Sequence, residues 1–182
     1  MRAAGRLAAR AAINCVLAGG ACALSPSLLW RFATVRRWRT GLASRLGLSL
    51  PPPEAAGGLW IHTVSAGELL TAEPLIRRIA AEAPDLPLAL SVTTEAAHTI
   101  ASERLPAIPR FFWPLDFSPV VDRVLARVRP QLIVLVELEL WPNFLLGAAR
   151  RGIPRVVING RITARSERRF GRVRPLARRL FG

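Results

Sequence analysis

Between Leu59 and Ile158, short apolar runs of strand-forming residues alternate with longer stretches whose apolar residues recur at helical spacing. The predicted strands are Leu59–Val64, Leu88–Val92, Arg110–Trp113, Leu132–Val136 and Arg155–Ile158. The fourth is apolar throughout, which is typical of a strand covered on both faces of a sheet. Strands that alternate with helices form parallel sheets, because each helix returns the chain to the same edge. The alternation therefore predicts an α/β domain built on one parallel sheet.

Turn and capping residues predict where the helices begin. The first turn signal is Ser65-Ala66-Gly67, and a helix is predicted to follow with Thr71 as its cap. Ser118, followed by Pro119, predicts the N-cap of another helix, whose valines and leucines form one stripe. Further helices are predicted over 95–104, over 142–151 and from residue 163.

The charged residues are distributed unevenly along the chain. All 26 basic residues are arginines, and the formal net charge is +14. Residues 1–50 hold eight arginines and no acid, and residues 161–182 hold eight arginines and one acid. The segment 51–160 is nearly neutral, with ten arginines and eleven acids. A neutral domain between basic ends is typical of a protein held near an anionic surface, and both nucleic acid and an anionic membrane fit this pattern.

The N-terminal segment favours the membrane. Residues 11–30 carry no charge and have the length of a membrane-spanning helix, although small and polar residues make a helix lying in the interface an equal alternative. A cleaved signal peptide ending near Ala21-Cys22-Ala23 is a third interpretation. The arginines that follow Trp30 favour an N-terminal apolar anchor helix with the rest of the chain in the cytoplasm. Glycines and prolines between 40 and 58 predict a boundary between an anchor and linker segment, 1–50, and the α/β domain, 51–162. A basic helix over 163–182 is predicted to follow the domain.

Some classes of protein are excluded by what the sequence lacks. Two cysteines and two histidines are too few for a disulfide framework or a convincing zinc site. Neither G-x-x-x-x-G-K-[ST] nor G-x-G-x-x-G occurs, so the common nucleotide-binding loops are absent. Ser65 half resembles the nucleophile of an α/β-hydrolase, but the motif lacks its first glycine and neither His62 nor His98 fits the Ser, acid, His order.

Polar residues follow the predicted strands, at the edge where parallel α/β sheets bind ligands. They are Ser65, Gly67, Glu68, Thr93, Thr94, Asp116, Glu137, Glu139, Trp141, Asn143, Asn159 and Arg161. Gly67 is predicted to permit a tight bend, and Glu68 is placed to act as a general base towards a substrate hydroxyl. The alternative for Glu68 is a surface carboxylate stabilised by the helix macrodipole.

Glu137 and Glu139 form a second acidic pair. They stand two residues apart, so in an extended chain both side chains point to the same side. Adjacent carboxylates repel, and a protein that keeps them together more often does so at a functional site. The alternative for Glu139 is a structural ion pair with an arginine such as Arg161. For Trp141, stacking on a sugar and plain packing both remain open.

Four motifs stand in a fixed order: W-I-H-T-V-S-A-G-E at 60–68, W-P-L-D at 113–116, E-L-E-L-W-P-N at 137–143 and N-G-R-I-T at 159–163. In this order they resemble the 3-deoxy-D-manno-octulosonic acid (Kdo) transferases of lipopolysaccharide assembly. The resemblance extends from about residue 60 to residue 170. It implies the N-terminal half of a GT-B glycosyltransferase, in which two Rossmann-like domains face each other across a cleft.

The resemblance also implies a reaction. Kdo would pass from CMP-Kdo to a lipid A precursor (lipid IVA) by inverting transfer, with no metal ion or other cofactor. Glu68 would be the general base, and Glu137 would support the transition state. The acceptor would be bound by Ser65, Gly67, Thr93, Thr94, Glu139, Trp141, Asn143, Asn159 and Arg161. The enzyme would act on the anionic cytoplasmic face of the inner membrane.

Two features of the sequence qualify this implication. The resemblance places the CMP-binding domain beyond residue 182, so this chain alone is expected to lack turnover. After Thr93-Thr94 the family usually continues through further Thr and Pro to a Gly, whereas this chain has Glu95-Ala96-Ala97-His98. The alternative function is a noncatalytic, membrane-tethered module that binds the acceptor. A nucleic-acid-binding α/β domain has less support, because the neutral middle holds no basic stripe.

Overall fold

The computed structural model describes residues 3–23, 40–137 and 141–160. In chain order the elements are α1 (Ala3–Ala23), α2 (Leu42–Arg45), a 3₁₀ turn (Pro53–Ala55), β1 (Leu59–Thr63), α3 (Ala66–Glu82), β2 (Leu88–Val92), α4 (Glu95–Arg104), β3 (Arg110–Phe112), α5 (Ser118–Val128), β4 (Leu132–Val136), α6 (Pro142–Arg150) and β5 (Arg155–Ile158). Glu139, Arg161 and the helix predicted from residue 163 lie outside the described residues.

The strands form one five-stranded sheet in the order β3-β2-β1-β4-β5. Every neighbouring pair is parallel, with Leu59 opposite Leu88 on one side and Leu132 on the other. The predicted parallel α/β sheet is therefore confirmed. Because all strands run the same way, the residues that follow them meet at one edge of the sheet.

Alternation along β1 divides the core into two halves, one on each face of the sheet. Trp60 is fully buried on the face covered by α5 and α6, where its ring centroid lies 5.6 Å from that of Trp113 and 5.1 Å from that of Phe144. Ile61 points to the opposite face, which α3 and α4 cover. Both faces are thus closed, in agreement with the apolar character of β4.

Two helix starts differ from the sequence prediction. α3 begins at Ala66, five residues before Thr71, because Ser65 already caps it by accepting the backbone N–H of Glu68 at 3.3 Å. The Thr71 hydroxyl instead donates to the Gly67 carbonyl within the helix, at 2.9 Å. Ser118 is the first residue of α5 rather than its cap, since its side chain is hydrogen-bonded by Asn14 of α1.

Helix α1 packs on α6 through polar contacts as well as apolar ones. Arg10 is 3% exposed, and its Nη1 lies 2.9 Å from Oδ2 of Asp122. Asn14 donates to the Ser118 hydroxyl at 2.6 Å and accepts from the Asn143 side chain at 3.0 Å. These partners hold one face of α1 against the domain, while Val16 on the other face is 75% exposed.

The spanning interpretation of the N-terminus is not confirmed. In residues 3–23, 40–137 and 141–160, no helix combines the length and the apolar character needed to cross a bilayer. Residues 24–30 of the apolar stretch lie outside this part of the chain.

Candidate active site

Backbone hydrogen bonds join the residues that follow neighbouring strands. The N–H of Thr94 donates to the Val64 carbonyl at 3.2 Å, which links the ends of β2 and β1. The N–H of Glu137 donates to the Ile158 carbonyl at 2.8 Å, which links the ends of β4 and β5. The loops that follow the strands are thus joined in two neighbouring pairs at the predicted edge.

Glu68 is held in place by the N-terminus of α3. Its Oε2 accepts the backbone N–H of Val64 at 2.7 Å, and its Oε1 accepts the Ser65 hydroxyl at 2.9 Å. Ser65 reciprocates as the N-cap, because its hydroxyl oxygen accepts the backbone N–H of Glu68. Glu68 therefore has the helix-terminal position of the predicted alternative, and this position does not exclude a role as general base. A carboxylate has about four acceptor sites, so each oxygen keeps a lone pair for a further proton donor.

Glu137 has an unusual backbone. Its φ is 66°, in the left-handed region that favours glycine. For other residues such a conformation costs on the order of 1–3 kcal/mol, and it occurs most often at functional sites. The half-buried Glu137 thus turns the chain sharply as it leaves β4.

Strand register brings Glu68 and Glu137 to neighbouring strand ends. His62 lies opposite Leu135, and the same register continued by two residues sets Val64 beside Glu137. Neighbouring strands are about 4.8 Å apart. Glu68 binds the N–H of Val64, so its carboxylate is held at the end of β1, next to the strand end from which Glu137 follows.

Beneath this edge lies a buried aromatic layer around His62. The imidazole is fully buried and stacks on Trp113, with ring centroids 3.7 Å apart. Its Nδ1 lies 3.1 Å from the Ser91 carbonyl oxygen and 3.0 Å from the Ser91 hydroxyl. Burial lowers the pKa of His62 to about 3. His62 is therefore a neutral core residue.

Asp116 and Asn143 connect two of the motifs. The Asp116 carboxylate accepts the N–H of Phe144 at 2.7 Å, and the Asn143 side chain donates to the Asp116 carbonyl at 2.5 Å. Burial raises the pKa of Asp116 to about 6. Asn143 is completely buried, so in this arrangement it positions the start of α6. Its predicted contact with a substrate stays a prediction.

The remaining predicted residues are spread along the same edge. Thr94 caps α4 by accepting the N–H of Ala97 at 3.2 Å. Thr93 and Trp141 are half-buried, and Asn159 is exposed, with a φ of 53°.

The predicted tight bend at Gly67 is wrong. The residue is helical, because the turn is already completed by the Ser65 cap. A Cβ added there would meet only the Ser65 hydroxyl, at 3.9 Å. Gly67 therefore leaves the surface beside Glu68 open rather than making the bend.

Sequence reasoning missed one charged residue at this edge, Arg45. It was assigned to the boundary segment, yet its guanidinium donates to the Thr93 carbonyl at the end of β2. No local motif marks it; only the packing of α2 against β3 brings it there.

Comparison with known proteins supports the order of the motifs. The family model described as 3-deoxy-D-manno-octulosonic-acid transferase (kdotransferase) matches residues 37–182. This chain belongs to the Kdo transferase family. The match includes all four motifs and both carboxylates at the sheet edge, and it does not favour the nucleic-acid-binding alternative.

Individual relatives agree with this assignment. A 3-deoxy-D-manno-octulosonic acid transferase of Haemophilus influenzae is 35% identical over 147 residues, which cover 76% of this chain and 33% of the relative. One from Chlamydia pneumoniae is 34% identical over 161 residues, covering 86% of this chain and 36% of the relative. A probable mitochondrial 3-deoxy-D-manno-octulosonic acid transferase of Arabidopsis thaliana is 34% identical over 113 residues, which cover 62% of this chain and 25% of the relative. The chain spans about a third of the length of the curated relatives that it matches.

Proposed function

We propose that this chain is the acceptor-binding domain of an enzyme that transfers Kdo from CMP-Kdo to a lipid A precursor such as lipid IVA. The domain is the N-terminal half of a GT-B fold, and a second domain supplies the CMP site. The observation that carries the proposal is the Glu68 carboxylate, which two hydrogen bonds hold at the sheet edge beside the end of β4.

In the proposed step, an acceptor hydroxyl oxygen attacks the anomeric carbon of Kdo. The bond from that carbon to the phosphate oxygen breaks, and CMP leaves with the electron pair. The hydroxyl proton passes to Glu68, so the carboxylate must lie within hydrogen-bond reach of the acceptor. Support comes from the fixed orientation of Glu68, which costs no reordering when the acceptor arrives.

Glu137 has the supporting role in this proposal. Its carboxylate follows β4, next to the strand end that Glu68 binds. A second negative charge stabilises the positive charge that develops on the sugar ring as the leaving group departs. The strained backbone at Glu137 favours a functional over a purely structural role.

The proposed location is the cytoplasmic face of the inner membrane. Residues 11–19 of α1 carry no charge, and the polar amide of Asn14 is turned towards the domain. An uncharged helix face with arginines near it fits the surface of an anionic bilayer. This interfacial position is compatible with the packing of α1 on α6.

The test measures Kdo transfer from CMP-Kdo to lipid IVA by this chain combined with the C-terminal domain of the Haemophilus influenzae relative. We expect transfer by the unmodified chain and a loss of roughly 100- to 10,000-fold in Glu68→Gln, the range typical of a removed general base. Glu95→Gln is the matched control, because Glu95 occupies the first turn of the neighbouring helix α4.

Full turnover by Glu68→Gln would remove Glu68 as the base. Binding of lipid IVA without transfer, in every combination of domains, would support the noncatalytic acceptor-binding module instead.

A further inference from the structure

Arg45 is fixed rigidly at the sheet edge. Its Cζ lies 4.7 Å from the centroid of the Phe112 ring, a cation–π distance. Its Nη2 donates to the Thr93 carbonyl, and its Nε lies 3.5 Å from the Thr40 carbonyl. These contacts hold the guanidinium plane and use two of its five N–H groups, so both N–H groups of Nη1 and one of Nη2 remain for another partner.

The charge of Arg45 is not neutralised by the described part of the protein. Within residues 3–23, 40–137 and 141–160, no carboxylate lies within ion-pair distance of it. Arg10, which is buried, pairs with Asp122, and the exposed Arg150 and Arg151 share the same carboxylate. Half-burying a cation without a counter-ion costs free energy, and desolvation lowers the pKa of Arg45 accordingly.

A short chain of contacts connects Arg45 to Glu68. Arg45 binds the carbonyl of Thr93, and the next residue, Thr94, donates its N–H to Val64. Val64 in turn donates to the Glu68 carboxylate. Arg45 and Glu68 therefore bind the ends of two neighbouring strands, β2 and β1, whose backbones lie about 4.8 Å apart. The Thr93 hydroxyl is buried and has no partner in the described residues.

We propose that Arg45 binds a phosphate ester of the acceptor, while Glu68 takes the proton of a nearby sugar hydroxyl. The inference rests on the proposed function. One N–H of Nη1 and one of Nη2 point the same way, and this parallel pair matches two oxygens of a phosphate. Phosphate binding also supplies the missing counter-ion, which accounts for a half-buried cation at this position.

The phosphate could belong to the acceptor or to the CMP donor, and the test separates them. The probes are a phosphorylated lipid A precursor in detergent micelles, the same lipid after enzymatic removal of its phosphates, and CMP alone. Equilibrium binding of each probe to the chain is measured for the unmodified protein, Arg45→Gln and Arg45→Lys. Arg127→Gln is the matched control, because Arg127 also holds a carbonyl of the 40–58 segment, that of Pro51, at 2.9 Å.

We expect Arg45→Gln to weaken binding of the phosphorylated lipid by roughly 10- to 100-fold, the usual cost of losing a charge-assisted hydrogen bond. Binding of the dephosphorylated lipid and the Arg127→Gln control should change less than about twofold. Arg45→Lys keeps the charge but loses the planar pair of donors, so an intermediate affinity is expected. Thermal unfolding of each variant shows whether it folds. If Arg45→Gln does not fold, the affinity of Arg45→Lys for the two lipids tests the proposal instead.

Equal losses for both lipids, or an equal loss in Arg127→Gln, would overturn the proposal and leave Arg45 as a support for α2. An effect on CMP alone would move the site to the donor and overturn the acceptor assignment. If the unmodified chain binds neither lipid, the proposed function itself fails. If it binds both lipids and Arg45→Gln changes neither affinity, only the inference about Arg45 fails.

Discussion

The carboxylate of Asp116 accepts the backbone N–H of Asn143 at 3.0 Å. Through this bond, a side chain from the loop after β3 caps the N-terminus of α6. The W-P-L-D motif therefore fixes the point where the chain enters α6 after Glu137. Asp116, the last residue of the W-P-L-D motif, thus supports the E-L-E-L-W-P-N motif structurally.

The pKa of Asp116 predicts a pH dependence of stability. Burial raises this pKa from 3.8 to about 6, so the folded state holds the proton more tightly than the unfolded state. The resulting contribution is fully present below about pH 4 and is lost as the pH rises through 6, up to about 3 kcal/mol. Asp116→Asn removes the titration. Urea unfolding between pH 4 and 7 should show the stability of the original protein falling relative to that variant. A constant difference across this range would contradict the raised pKa.

The hydrogen bonds that Glu68 accepts at the start of α3 predict a structural cost for losing it, separate from catalysis. Glu68→Ala leaves the N–H of Val64 and the Ser65 hydroxyl without their acceptor, at a cost of about 1 kcal/mol. Glu68→Gln keeps an acceptor oxygen and should cost less. Chemical denaturation measures both, with Glu95→Ala as the control. Equal stability of all three variants would mean that the cap does not form in solution.

The parallel sheet could be predicted closely because its signals are local. β2, β4 and β5 match their predicted bounds, and α4 matches at both ends. The start of α3 could not be placed as well, since Ser65 and Thr71 are both good caps by composition. The choice depends on where β1 ends, and the carboxylate of Glu68 decides it by binding back to Val64.

Close packing of the backbone predicts different costs at two adjacent glycines. A Cβ on Gly58 would lie 1.8 Å from the carbonyl oxygen of Pro87, which cannot move without shifting the start of β2. Gly58→Ala should therefore cost about 3 kcal/mol. Gly57 has open space around it but a φ of 86°, so Gly57→Ala should cost only about 1–2 kcal/mol through backbone strain. Thermal unfolding of the two variants checks this order, and a reversed order would contradict the packing.

The ion pair between Arg10 and Asp122 predicts that losing Asp122 lowers the stability more than losing Arg10 does. Arg10→Met leaves Asp122 paired with Arg151 at 2.6 Å, so a cost of about 1 kcal/mol is expected. Asp122→Ala leaves the buried Arg10 without a carboxylate, and the cost should be about 3 kcal/mol or the undocking of α1. Hydrogen exchange of α1 together with denaturant unfolding measures both effects. Equal losses in the two variants would show that the burial of Arg10 is not what holds the helix.

The candidate site was predicted where each residue directly follows a strand, since the carboxyl edge can be read from the order of the runs. Glu68 and Glu137 were found in this way. Arg45 was not, because its place depends on α2 folding back over Phe112, a contact between residues far apart in sequence. The buried role of Asn143 was also hidden, because it depends on Asp116 and Asn14 together.

The central strand β1 has one neighbour, β4, that follows it by roughly seventy residues, and pairing over such a distance is slow. During synthesis, β1 can therefore pair with β2 well before β4 has left the ribosome. Until then one side of β1 has unpaired backbone groups and its Trp60 lacks the cover of Phe144. We expect the nascent chain to expose an unpaired, aggregation-prone strand edge for seconds. This domain is therefore a candidate for chaperone binding early in its synthesis.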